Sequence, residues 1–436
     1  MKVNPMLRLC PIALVCLATS ASLVHAAQNK QSANVSESPR HGVFTAAPGS
    51  GQQLLTPPPE GIDYSLDLGA LNAYNTWKDG LAKDHHFNFG GAYYPIAIAS
   101  SESISGTRKD ASSAVVRAFA SWEAFAPDTD HSGSLNVLYE HRHRYSDNTP
   151  GAYSFDNLGN VGAIGIPFDN GGNHLTHLYW DQKFDGGTYE VYVGFLDITD
   201  YVDVYPFTSP WTDFFNFAFS IGAGTMDLPD DAALGIAFGA WLSENAYVMA
   251  GTEDLNSDPT DPFEGFNTFF NDHELFSHIE FGWTTAAQEA YYLNNTHLTI
   301  WHSSEREELG LSEGWGAMFS ITHTIAEHWM PFLRAGYAND GASLLSKSVS
   351  TGFAYQPNPE DELSGDIWGF AANWGEPNSE LLGSGLRDQY AIETYYRWQL
   401  SQNIAITPDV QLIIDPALNT DADAIWVTGI RLGITF

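Results

Sequence analysis

The chain has 436 residues, 14% of them aromatic, and sets 53 acids against 18 Lys and Arg for a formal net charge of -35. An acidic balance of this size repels nucleic-acid phosphates and sets nucleic acid aside as a partner. It fits a salt-rich habitat and a cation-attracting interior equally well. The chain opens with Lys2 and Arg8, an apolar stretch over residues 9–18, and small residues ending at Val24-His25-Ala26, which predicts a signal peptide over residues 1–26. A membrane anchor would need about 18 clean apolar residues, and Pro11 with the Thr19-Ser20 break leaves too few. Ala13-Leu14-Val15 lacks the small residue expected before a lipidated Cys16. Cys10 and Cys16 are the only cysteines, so the exported remainder has neither disulfides nor thiolate metal sites. Loss of Lys2 and Arg8 with no acid takes the net charge from -35 to -37.

Residues 27–65 are rich in Ser, Gln, Ala and Pro, include Pro57-Pro58-Pro59, and predict a flexible N-terminal arm. Residues 66–86 predict a short helical segment, with Leu68, Leu71, Tyr74 and Leu81 near one face.

From Phe87 to Phe436 the pattern changes to period two. At the C-terminus Trp426, Thr428, Ile430, Leu432, Ile434 and Phe436 alternate with Val427, Gly429, Arg431, Gly433 and Thr435. An Arg on the lipid face of a barrel costs roughly 2–4 kcal/mol at the midplane, so Arg431 turns into the lumen and the Phe436 face meets lipid. The same test turns Glu393 and Arg397 inward, opposite Tyr390, Ile392, Tyr396 and Trp398. It places Arg117 and Glu123 opposite Val116, Ala118, Ala120 and Trp122, and Arg334 opposite Trp329, Leu333 and Tyr337. It also places Glu190 and Tyr192 opposite Tyr189, Val191, Val193 and Phe195.

Sixteen such strands are predicted, near 87–94, 114–125, 134–144, 175–184, 189–197, 232–242, 246–253, 273–285, 295–303, 315–323, 329–338, 349–355, 366–373, 388–400, 403–414 and 425–436. Short turns alternate with long loops, above all 145–174 and 198–231. The fold class is therefore all-β: a 16-stranded antiparallel transmembrane β-barrel with a short N-terminal helix, placed in the outer membrane of a Gram-negative cell. A soluble β-sandwich would carry a packed aliphatic core on its apolar face rather than an aromatic belt, and the chain shows no 20–50-residue repeat of a propeller or solenoid.

The run Arg387-Asp388-Gln389-Tyr390-Ala391-Ile392-Glu393-Thr394-Tyr395-Tyr396-Arg397, followed by Ile404-Ala405-Ile406-Thr407-Pro408-Asp409-Val410-Gln411-Leu412-Ile413-Ile414-Asp415-Pro416-Ala417, resembles the carbohydrate-selective porins of the OprB family. The resemblance is densest over 366–436 and extends back to about 114. It implies a 16-stranded channel passing sugars and other small solutes by diffusion, with charged and aromatic side chains at its constriction and neither catalysis nor a cofactor. The family's Gly- and Arg-rich stretch before the first strand is replaced here by Trp77-Lys78-Asp79-Gly80-Leu81-Ala82-Lys83-Asp84.

A sugar offers hydroxyls and an apolar ring face, so its channel calls for carboxylates, guanidinium groups and flat aromatics. The pore-lining candidates are Arg117, Glu123, Glu190, Tyr192, Arg334, Glu393, Arg397 and Arg431. Trp211 joins them from the 198–231 loop, whose Tyr201, Asp203, Tyr205, Asp213, Phe214, Phe215 and Phe217 suggest that it folds into the pore. The plainer account of the inward charges is a solvated wall whose acids and bases neutralise each other. His141-Arg142-His143-Arg144 places two histidines on one face, but beside positive charge, and no metal site is assigned. His302-Ser303 point to opposite faces and no G-x-S-x-G motif occurs, so no catalytic residue is assigned. The expected partners are small sugars, outer-membrane lipid and lipopolysaccharide, with the barrel a monomer or a homo-oligomer. The alternative function is a plugged or ligand-binding barrel whose lumen holds residues 27–86 and whose loops act as an adhesin or receptor.

Overall fold

The structure is a computed structural model that describes residues 42–44, 48, 50–55, 62, 64–66, 69–167, 171–361 and 363–436. The signal expected over 1–26 lies outside the described residues, as does most of the arm expected over 27–65. Helix α1 spans Asn72–His85, shorter than the predicted segment because Gly69–Leu71 forms a 3-10 turn before it. His86 ends it in the left-handed conformation and returns its N–H to the carbonyl of Ala82. Tyr74 and Trp77 set their rings edge-on to Phe89, and Lys78 lies 5.5 Å over the same ring.

Among the described residues sixteen strands follow. They are β1 Phe87–Ser100, β2 Asp110–Phe125, β3 Gly133–Arg144, β4 Gly172–Phe184, β5 Tyr189–Leu196, β6 Ala233–Trp241, β7 Ala246–Asp254 and β8 Leu275–Thr284. The second half comprises β9 Asn295–Ser303, β10 Gly314–Thr322, β11 Trp329–Asp340, β12 Leu345–Tyr355, β13 Ile367–Pro377, β14 Gln389–Ser401, β15 Ile404–Ile414 and β16 Ala424–Thr435. Each pairs antiparallel with its neighbours, and β1 closes on β16 through pairs such as Ala92 with Thr435 and Ile96 with Arg431. Closure leaves no row of unpaired backbone groups, which is what hydrocarbon demands of a sheet. All sixteen expected strands are present. β1 runs past its expected end, through Pro95, which pairs with Ala114; the hydrogen bond that proline cannot donate does not end the strand.

Burial follows the predicted alternation. Along β9, Asn295, His297, Thr299, Trp301 and Ser303 are buried while Leu298 and Ile300 face outward. The outer wall carries Trp122, Tyr189, Trp283, Trp329, Trp368 and Trp398 toward the short-turn end. Trp315, Tyr337, Tyr390 and Trp426 stand toward the long-loop end. Two aromatic girdles around an aliphatic band are what a bilayer's two interfaces select. The parity breaks in β4, where a bulge against Leu138 and Tyr139 turns His174, Thr176 and His177 all inward.

Candidate functional site

The connection between β5 and β6, residues 197–232, enters the barrel. Its Tyr205, Phe207, Phe215 and Phe219 are each at most 1% exposed, and Phe214 meets the inward Tyr395 edge-on at 4.9 Å. Burying one such ring stabilises by about 1.5–3 kcal/mol, so the aromatics alone favour a seated loop. Gly429 on β16 makes room for this packing: a Cβ there would stand 2.9 Å from the Phe215 ring.

Polar anchors fix the path. Glu393 accepts the backbone N–H groups of Phe215 and Asn216 at 2.5 and 2.9 Å. Arg431 donates to the carbonyls of Pro210 and Asp213 at 2.8 and 2.9 Å and lies 4.5 Å over the Phe215 ring. Arg334 donates to the carbonyls of Ser220 and Phe219, pairs with Asp203, and lies over Tyr205. Asp203 also contacts His297 Nε2 at 3.0 Å, and its backbone N–H donates to Glu280 at 2.7 Å. The second long connection, over 145–171, meets the first: Ile164 bridges to Asn216, and Gln389 holds both backbone groups of Val161.

Arg117, Glu190, Tyr192, Arg334, Glu393, Arg397 and Arg431 are buried on inward faces of their strands, Trp211 sits on the inward loop, and Glu123 stands at the short-turn mouth. Arg334, Glu393 and Arg431 are the loop's anchors. Arg397 approaches Asp213 at 3.7 Å. Arg117 donates to Glu140 at 2.7 Å and stacks 4.3 Å from the half-buried Trp211 ring. Glu190 accepts the N–H of Phe44 at 2.8 Å, and Tyr192 donates to the carbonyl of Phe44. Residues 43 and 44 are thus buried within the lumen, and Gln52 donates to Tyr179 and Tyr192. Glu123 is half-buried at the short-turn mouth beside His86 and Asp128. His141 and His143 stack on each other outside the wall, and Arg142 turns inward to Glu140 and Asp231. His302 is exposed and Ser303 buried, on opposite faces as expected.

Among the described residues, two cavities border the inward loop. One of about 660 Å³ opens near α1 and the short turns, lined by Lys78, Tyr94, Arg397, Thr407 and Arg431 among others. The other, about 410 Å³, lies toward the long loops and is bordered by Arg117, Glu140, Arg142, Asp197, Asp200 and Asp231. Trp211 lines both. Glu140 and Arg142 were legible by the parity that found Arg117; Asp197, Asp200 and His177 depend on a loop path and a bulge that no local pattern announces.

Loop carboxylates respond to this setting in different directions. Burial raises Asp203, but the Arg334 guanidinium and His297 outweigh it and hold the group below the ordinary range. Burial raises Asp213 in spite of Arg397. Asp200 is pushed up to about 6 by burial.

A wall fit for hydrocarbon around a charged, water-accessible interior defines an outer-membrane porin. A family model described as the carbohydrate-selective porin, OprB family, matches residues 97–436, and the chain belongs to that family. Porin AaxA of Chlamydia felis is 23% identical over 315 residues, covering 71% of this chain and 68% of that protein. Porin AaxA of Chlamydia abortus is 21% identical, covering 71% and 67%. The high-pH structure of Pseudomonas putida OprB matches with a TM-score of 0.65 at 14% identity, over 83% of this chain and 97% of that one. Its low-pH structure gives 0.51 at 12% identity, over 84% and 97%. The protein is an outer-membrane porin for carbohydrates, and it crosses the membrane by its sixteen strands.

Proposed function

We propose that sugars pass the Trp211 ring between the two cavities, with Arg117 and Glu140 on one side and Arg397 and Arg431 on the other. The observation that carries this reading is that Trp211, stacked under Arg117, borders both cavities. The indole offers a flat apolar face to the sugar ring, and the charged groups replace hydration lost by its hydroxyls. Arg334 and Glu393 act indirectly, by holding the loop that carries Trp211. Passage is by diffusion and needs neither a cofactor nor catalysis. The partners are small sugars and the surrounding lipid and lipopolysaccharide.

Conductance of the refolded protein in a planar bilayer, with glucose or maltose added in steps, tests the reading. Openings that millimolar sugar blocks, with the block weakened in Trp211→Ala, support it. Openings that no sugar blocks reduce the route to a general pore. A second reading, the plugged barrel, draws on the burial of Val43 and Phe44 against Glu190 and Tyr192. It predicts silent bilayers that begin to conduct once residues 42–55 are deleted.

A further inference from the structure

We infer that His177, Asp197 and Asp200 form a site for a zinc-like divalent cation at the root of the inward loop. The β4 bulge aims His177 into the lumen, where its side chain is 2% exposed. Among the described residues neither ring nitrogen has a hydrogen bond. Nε2 instead stands 3.4 Å from Asp200 Oδ2 and 3.9 Å from Asp197 Oδ2, and the three atoms lie within 4.8 Å of one another. A tetrahedral ion with bonds of about 2.0–2.1 Å keeps its ligand atoms about 3.3–3.4 Å apart. The 3.4 Å separation is long for a hydrogen bond and matches the spacing that such an ion sets, while the 3.9 Å one closes to it with a shift of about half an ångström.

The remaining carboxylate oxygen of Asp197 is already oriented, accepting from the N–H and hydroxyl of Thr199 at 2.9 and 2.6 Å. Such outer contacts fix a ligand before the ion arrives. Asp197, Thr199 and Asp200 border the 410 Å³ cavity, which gives an aqueous approach and room for a water ligand. The neighbouring Arg117 is neutralised by Glu140 at 2.7 Å. One imidazole with two carboxylates suits zinc; calcium and magnesium favour all-oxygen sets. A bound ion would join β4 to the start of the loop and stand beside the solute route.

The test is calorimetric titration of the full, refolded chain in detergent with Zn²⁺ alone, against Ca²⁺ and Mg²⁺, together with single-channel currents. The expected result is one tight Zn²⁺ per chain and a Zn²⁺-dependent fall in current. His177→Gln and Asp200→Asn should each weaken both by at least about tenfold. His141→Gln/His143→Gln, on the outer wall, should leave both unchanged. Absence of saturable Zn²⁺ binding, binding that survives His177→Gln, or Ca²⁺ matching Zn²⁺ would overturn the assignment. If His177→Gln does not refold, Asp200→Asn decides by the same criteria.

Discussion

A guanidinium inside a barrel has three outlets: water, a carboxylate, or a backbone carbonyl. Arg117 and Arg334 illustrate how the choice divides labour in this lumen. Arg334 is fully enclosed by Asp203, Tyr205 and the carbonyls of Phe219 and Ser220. Removing one partner of a buried pair costs about 3–5 kcal/mol, so Arg334→Gln should free the loop while leaving the barrel folded. Limited proteolysis should then cut within 198–231 as heat-modifiable mobility on gels stays that of the wild type. Arg117 instead keeps a cavity-facing aromatic partner. Trp211→Ala should weaken sugar block about tenfold, the loss of about 1.4 kcal/mol of stacking, and raise ion conductance. Trp211→Phe should recover most of the block; unchanged block in Trp211→Ala would remove the ring from the sugar's path. Parity made Arg117, Arg334 and Arg431 legible as inward residues, because the cost of an Arg in lipid is large. It left open what each touches inside, since that depends on a loop distant in sequence.

At the level of the inward loop, length and aromatic content pointed to a constriction, but the seat was set by Glu393, Arg431 and Asp203, which belong to no common motif. Asp203 receives Arg334 from β11, His297 from β9 and, through its backbone, Glu280 from β8. Its carboxyl is held below the ordinary value of about 3.9. The ionised form therefore stabilises the seated loop at every pH above that value. This stabilisation is lost as pH falls from about 4 through the lower folded-state value. Single-channel records should gain a set of substates in acid below about pH 4, separate from any change between pH 8 and 5 that follows Asp200, whose carboxyl is pushed up to about 6. Asp203→Asn should show those substates at pH 7; a quiet record in that variant would mean that the aromatic packing alone holds the loop. The β4 bulge is the element-scale feature least legible beforehand, because one extra residue leaves the run of residue types unchanged while reversing which of them face inward.

Across the whole molecule, sixteen strands could be counted in advance because lipid on one side and water on the other impose alternation on every strand at once. The expected excess of acid, -37 after loss of residues 1–26, is a property of the same scale. Part of it lies in the lumen, where Glu140, Glu190, Glu253, Glu280, Glu393 and Asp409 are buried in the wall and Asp203 and Asp213 arrive with the loop. Arg117, Arg142, Arg334, Arg397 and Arg431 offset some of these charges. The chain's net charge favours cations, and a field in a narrow low-dielectric lumen concentrates counter-ions. A tenfold KCl gradient across the bilayer should therefore give a reversal potential of cation sign. That potential should shrink as both salt concentrations are raised, because the screening length falls from about 10 Å at 0.1 M to about 3 Å at 1 M. An anion-sign potential would place control of ion passage with the arginines beside Trp211 instead of with the chain's net charge, and a cation-sign potential that survives high salt would place it with the close-range carboxylates.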